Sequence, residues 1–202
     1  LDVPIGAAVD ATIDEAYVVM EPSDVVIDPS GSYWCDTLRR FRRMRHRSLY
    51  YVDVAEIATP AGRHLFASGD RKGVETALPA LGRLAAPGRV SALGEAGAAH
   101  FLLMVMDGVR TAEAHARSEA RQLLEAFPIG FDVAAAIEAL NLEAAGTEGR
   151  AAWLLDDALR LEAAVPLVAH AVMLEAGAAL DDRRPMPQLP RQGPFVHPDD
   201  VL

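Results

Sequence analysis

The stretch Gly97-Ala98-Ala99-His100-Phe101-Leu102-Leu103-Met104-Val105-Met106-Asp107-Gly108 opens the longest uninterrupted helical run of the chain. No proline falls between about Ala96 and Phe127. The first three turns are almost wholly apolar, which is how a helix enclosed on every side reads. The second half changes character, with Glu113, Arg117, Glu119 and Arg121 set against Ala112, Ala116, Ala120 and Leu124. Such a helix is a central post, buried at one end and half-exposed at the other. His100 lies in the buried half and requires a hydrogen-bond partner there.

The elements before this post alternate. Asp10 to Met20 reads as a helix with acidic residues near its start, where the helix dipole favours them. Val25-Val26-Ile27-Asp28 is a short apolar run between turn signals, the pattern of a buried parallel strand. Pro29-Ser30-Gly31-Ser32 follows as a loop at its carboxyl end, where open α/β sheets place their ligands. Asp36 to Arg47 is a helix on which Leu38, Phe41 and Met44 recur every third residue. Tyr50 to Val54 and His64 to Ser68 read as strands, Asp70 caps a helix from Arg71 to about Leu84, and Pro79 kinks or breaks it. Val90 to Ala92 is a last short strand.

From Ala96 onward no strand pattern recurs. Helices are expected at Ala96–Phe127, Asp132–Leu140, about Glu148–Ala163 and Pro166–Leu180, the last with proline at a favoured first position. Asp181 to Leu202 holds five prolines and little periodicity, and reads as a tail. Strands alternating with helices, then helices alone, make an α/β region followed by an all-α region. The chain begins at Leu1 and reads as starting inside a fold. Leu1-Asp2-Val3-Pro4 is expected to end a strand, and a truncated, trimmed or misassigned start each accounts for it.

Composition narrows the function classes. Half of the 202 residues are hydrophobic, so a substantial core is expected. No apolar run reaches the roughly 18 residues of a membrane span. The single cysteine, Cys35, excludes an internal disulfide framework and fits a cytoplasmic setting. A net charge of −10 argues against nucleic acid. Arg39, Arg40, Arg42, Arg43, Arg45 and Arg47 nevertheless crowd one helix, leaving 13 of the 19 basic residues against 29 acidic ones elsewhere. A solvated face, a polyanion site, and docking onto the acidic surface of a second copy are the readings open there.

Gly97 to Gly108 resembles the G-A-G-H-F-V-K-M-V-H-N-G segment of the 6-phosphogluconate dehydrogenases. Gly97, His100, Phe101, Met104, Val105 and Gly108 match, whereas Leu103 stands at the family's lysine, Met106 at its histidine and Asp107 at its asparagine. The resemblance extends over roughly residues 1–180. Asp24 to Asp28 and Ser32 to Arg40 are similar to G-D-I-I-I-D-G-G-N-S-Y-Y-x-D-T-x-R-R, and Tyr51 to Val54 to F-V-D-V. Leu65 to Asp70 is similar to L-M-V-G-G-D, and Glu148-Gly149-Arg150 with Val165-Pro166 to the G-E-G-R-W-T … G-V-P of the short bacterial members.

The resemblance implies a partial Rossmann-type sheet over 1–94, a helical 6-phosphogluconate dehydrogenase-like domain over 95–181 and a Pro-rich tail over 182–202. It implies NAD(P)-dependent oxidation and decarboxylation of 6-phosphogluconate, with NADP or NAD as cofactor. That chemistry needs a glycine-rich turn for the pyrophosphate, a proton-exchanging lysine, small loop donors and phosphate-binding arginines. No G-x-G-x-x-G occurs, and the G-G-N-S loop has become Pro29 to Ser32. The substrate loop S-G-G has become Ile57-Ala58-Thr59, and Gly177 falls at a phosphate-binding arginine. The family-equivalent catalytic positions are Leu103, Asp107 and His100. Substrate contacts are expected at Ser32, His100 and Arg150, and cofactor contacts at Gly31 and Ser32. No metal site is expected, since His115, His170 and His197 lack ligand spacing. Cys35 as a nucleophile lacks a visible base.

The expected reading is a non-catalytic or strongly diverged relative that binds no cofactor by itself and forms a homodimer through the helical domain, with neither nucleic acid nor membrane as partner. The alternative is a fragment of an NAD(P)-dependent oxidoreductase acting on a different hydroxy acid, in which Leu103 and Ile57 line an apolar pocket.

Overall fold

A computed structural model describes residues 3–126, 132–140, 151–160 and 164–181. Leu1, Asp2, Arg150 with the rest of 141–150, and the tail from 182 lie outside the described residues. The order is α1 (Ala7–Tyr17), β1 (Val25–Asp28), α2 (Trp34–Arg45), β2 (Tyr50–Thr59), β3 (Gly62–Gly69), α3 (Arg71–Leu84) and β4 (Val90–Gly94). Then come α4 (Ala98–Ala126), α5 (Val133–Ala139), α6 (Ala151–Arg160) and α7 (Pro166–Asp181). The architecture is α/β followed by all-α. Val3 and Pro4, expected in a strand, lie ahead of α1 in no strand.

The four strands form one mixed sheet in chain order. β1 and β2 are parallel, with Val25 opposite Tyr50 and Asp28 opposite Asp53. β2 then outruns β1 and turns back through Pro60 and Ala61, so that Ile57, Ala58 and Thr59 pair with His64, Arg63 and Gly62 of β3. These residues, expected as a loop, are therefore paired strand. Glu56 and Ala58 face outward while Ile57 is buried, the alternation of a half-covered strand. β3 and β4 are parallel to each other and joined by α3.

Alternation along β2 sends side chains into two cores. Val52 and Val54 meet Leu65, Ala67, Val74, Ala77 and Leu81 beneath α3. Tyr51 joins Val26, Met44, Leu49, Val9 and Ile13 beneath α1 and α2. Full burial of a side chain of this size contributes roughly 1.5–3 kcal/mol. α3 runs unbroken through Pro79. That residue is on the exposed side, where the carbonyl it leaves unbonded can reach water. Asp70 occupies the N-cap position of α3 without a side-chain cap hydrogen bond, and its carboxylate lies 3.9 Å from Arg45 instead.

The arginine-rich face of α2 is turned onto α1. Arg39 and Arg40 both hold Asp10, Arg43 pairs with Asp14 at 2.5 Å, and Arg43 and Arg47 lie over the Tyr17 ring at 5.0 and 4.6 Å. Asp10, Asp14 and the Tyr17 ring of α1 thus take up charge that the sequence left open. The arginines act chiefly as a clamp between two helices of the same chain.

α4 touches β2, β3, β4 and α2 at its start and α5, α6 and α7 farther on. Its enclosure is one-sided. Ala99, Leu103 and Met104 are buried, but Phe101, Leu102, Val105 and Met106 are half-buried and Val109 is exposed. Gly108 lets α6 and α7 approach, because a Cβ there would lie 2.5 Å from Leu154 Cδ2 and 3.4 Å from Val168 Cγ1.

Candidate functional site

The carboxyl end of β1 is where chemistry was expected, and its polar groups are bonded to one another. Asp28 is fully buried, with Oδ1 accepting from the Ser30 N–H at 2.9 Å and Oδ2 from the Tyr51 hydroxyl. Burial, then the neighbouring Asp28 charge, pushes the Tyr51 phenol upward, so it stays a donor. Arg40, 2 % exposed, donates from Nη1 to Ser32 Oγ at 2.7 Å and from Nη2 to the Gly6 carbonyl at 3.3 Å. It also chelates Asp10 through Nε and Nη2 at 3.0 and 3.1 Å. That pair holds the Asp10 carboxyl down to about 2, the hydrogen bond from Arg40 being the largest cause.

His100 reaches the same strand end from α4. Its Nε2 faces the Asp28 carbonyl at 3.1 Å, and a carbonyl only accepts, so Nε2 carries a proton. Nδ1 is 2.7 Å from Thr37 Oγ1, the remaining partner of the ring. The imidazole is thereby bonded on both sides inside the core and 1 % exposed. One strand over, Asp53 anchors the start of α4. Its carboxylate accepts the N–H groups of Gly97 at 2.9 Å, Ala99 at 3.1 Å and His100 at 3.2 Å. Ser68 donates to Asp53 at 2.7 Å and accepts from Ala99 N–H at 2.8 Å.

The next turn of α4 carries the chemical position itself. Leu103, 7 % exposed, packs with Ala55, Ala99 and Phe66. Phe66 stacks on His64 at 4.1 Å between ring centroids. The position that the resemblance gives to a lysine is thus inside an apolar cluster, where an ammonium group would lose its hydration. Asp107, one turn on, is buried and lies 3.4 Å from Arg110 of the same helix. The structure brings Gly31, Ser32 and His100 together at the end of β1 and sets Leu103 and Asp107 farther along α4.

One contact had no signature in the sequence. α6 folds back so that Asp157, 1 % exposed, accepts from the Tyr33 hydroxyl at 3.0 Å and Trp34 Nε1 at 2.5 Å. Trp153 packs against Tyr33 at 5.5 Å and Phe101 against Trp34 at 6.2 Å. Burial, followed by the hydrogen bonds to Cys35 and Asp157, pushes the Tyr33 phenol upward. These residues stand at the first turn of α2, the end of a helix that favours an anion. Asp157 stands beside that turn on two side-chain donors, Ser32 Oγ is taken by Arg40 and lies 2.8 Å from Ser30 Oγ, and Gly31 bends the loop at φ 68°. Among the described residues no cluster of three His, Cys, Asp or Glu side chains is placed to hold a metal ion. Nor, among them, is any helix long and apolar enough to cross a membrane.

Comparison with known proteins gives a consistent picture. No protein-family model matches the chain. It is 30 % identical over 132 residues to a decarboxylating 6-phosphogluconate dehydrogenase of Bacillus licheniformis, covering 61 % of this chain and 28 % of that protein. It is 27 % identical over 217 residues to an NAD(+)-dependent, decarboxylating 6-phosphogluconate dehydrogenase of Haloferax volcanii, covering 91 % of this chain and 71 % of that one. In fold it is similar to the 3-hydroxyisobutyrate dehydrogenase of Salmonella typhimurium, with a TM-score of 0.72 and 17 % identity over 89 % of this chain and 72 % of that one. The chain thus spans little more than a quarter of one curated relative and under three quarters of the other. The chain is thus similar to the 6-phosphogluconate dehydrogenases in sequence and to a 3-hydroxyisobutyrate dehydrogenase in fold.

Proposed function

We propose that this chain, related as it is to NAD(P)-dependent hydroxy acid dehydrogenases, is a non-catalytic member of that group that serves as a binding or structural protein. The observation that carries this reading is the packing of Leu103 against Ala55 and Phe66. A side chain that exchanges no proton fills the lysine position, and it packs on the apolar side chains of Ala55, Ala99 and Phe66. The hairpin register at Ile57 to Thr59 supports it further, since pairing with β3 takes up one edge of that backbone and holds it extended rather than as a loop around a sugar acid. His100 and Ser32, two of the three substrate contacts expected, spend their polar atoms inside the protein.

On this reading the chain binds neither NADP nor NAD by itself, works in the cytoplasm, and pairs with a second copy through its helical part. Exposed Val109 on α4 with Leu167 and Met173 on α7 supplies apolar surface for that contact. Residues 1–94 and 95–181 are taken as its two working units and 182–202 as a tail. Calorimetric titration of the chain with NADP⁺, NAD⁺ and 6-phosphogluconate tests the reading. No heat of binding is expected, and micromolar affinity for either nucleotide overturns it.

The second reading is a fragment of an oxidoreductase acting on a less polar hydroxy acid. The apolar surroundings of Leu103 favour it only if a nucleotide binds; turnover of such an acid with NAD⁺ or NADP⁺ would establish it.

A further inference from the structure

A cavity of about 760 Å³ opens between α2, α3 and the turn from β4 into α4. None of Ser32, His100, Leu103 or Asp107 lines it. β3 leaves the sheet at Gly69 to start α3, while β2 runs on from Val52 to Tyr50 beside β1. α2 and α3 line the space beyond that end of β3.

Its wall is apolar: Leu38 and Phe41 from α2 face Val74 and Leu78 from α3. A cavity of this size and lining matches those that enclose small molecules, roughly 300–1,000 Å³ with mostly hydrophobic walls. The rim decides the ligand's charge. Arg45 is 3.9 Å from Asp70 and Arg71 is 2.7 Å from Glu75, so each rim cation already faces a carboxylate. Glu95 adds a further negative charge at the mouth. An anionic ligand would have to displace an existing pair and pass that carboxylate. Arg45 also lies 5.5 Å from the Phe41 ring, flat against the apolar wall.

We propose that this cavity binds a small, uncharged, mainly apolar molecule. The site is separate from the dehydrogenase-like positions and does not depend on whether the chain binds nucleotide. The probe is N-phenyl-1-naphthylamine, an uncharged dye that fluoresces in apolar surroundings, titrated against the full chain. Saturable one-site binding is expected. Filling the cavity with Leu78→Trp or Ala96→Trp weakens it by about tenfold or more. The α7 changes Leu167→Gln and Met173→Gln leave it unaltered. The sulfonated analogue 8-anilino-1-naphthalenesulfonate binds several-fold more weakly. In the unaltered chain, methyl resonances of Leu38 and Val74 shift during the titration and those of Leu167 do not, which decides the matter even where a filled variant fails to fold. Shifts confined to Leu167, equal affinity for the sulfonate, or undiminished binding by folded Leu78→Trp and Ala96→Trp proteins overturns the proposal.

Discussion

Asp53 Oδ1 accepts the backbone N–H of Gly97 at 2.9 Å, so a strand residue caps a helix that begins more than forty positions later. The other oxygen takes Ala99 and His100 N–H and the Ser68 hydroxyl. Asp53→Ala leaves these buried donors without an acceptor and is expected to cost about 3 kcal/mol or more in urea unfolding. Asp53→Asn keeps one acceptor oxygen and should lose about half as much. Equal stability of both variants to the parent chain would show that the start of α4 is held by packing alone.

The Asp10–Arg40 pair sets an acid dependence. With the folded carboxyl held at about 2, below its ordinary value of 3.8, the stabilisation is complete above pH 3.8 and is lost as pH falls toward 2. Asp10→Asn should flatten the fall in stability across that window. At neutral pH it should cost about 3 kcal/mol, because Arg40 stays buried with one partner fewer. Parallel stability–pH curves for the two proteins would count against the pair.

Both tryptophans of the chain, Trp34 and Trp153, belong to the contact around Asp157. Intrinsic emission is therefore a report on the seating of α6. Asp157→Ala should move it to longer wavelength, quicken proteolysis within α6 and cost about 2 kcal/mol. An unshifted spectrum with unchanged cleavage would mean that the aromatic packing holds α6 without the carboxylate.

Two glycines separate backbone strain from side-chain crowding. Gly69 sits at φ 146°, and a Cβ there would come within 2.4 Å of the Tyr51 carbonyl oxygen. Gly69→Ala should cost about 3 kcal/mol, since neither backbone can yield. A Cβ at Gly108 would press on the movable tip of Leu154 and reach Val168 at ordinary contact distance, and alanine is about 1 kcal/mol better than glycine inside a helix. Gly108→Ala should thus be nearly neutral in thermal unfolding, whereas Gly108→Ile should not.

Leu103→Lys places an ammonium group in the Ala55, Ala99 and Phe66 cluster and should cost about 3 kcal/mol. No oxidation of 6-phosphogluconate is expected from the variant with either nucleotide. Turnover followed by NAD(P)H absorbance would show that the loops had been misread.

The sequence announced elements better than the relations between them. Apolar runs and turn residues located β1, α3 and α7 to within a few residues, because periodicity and proline placement are local properties. Glu56-Ile57-Ala58-Thr59 carries a strand's alternation, and likeness to relatives points instead to a loop at Ile57 to Thr59, the wrong state for three residues. The enclosure expected of α4 failed at Phe101, Leu102 and Val109, since an apolar composition does not say which sides are covered. The partners of His100 and the arrival of Asp157 at Tyr33 join residues far apart in the chain, and no local pattern encodes them.

The hairpin at Ile57–His64 also has a consequence for redesign. On the non-catalytic reading proposed above, a lysine at position 103 is one substitution away, whereas the segment from Ile57 to Thr59 reopens only by parting paired backbone. Installing chemistry here is a task for the main chain before it is one for any side chain.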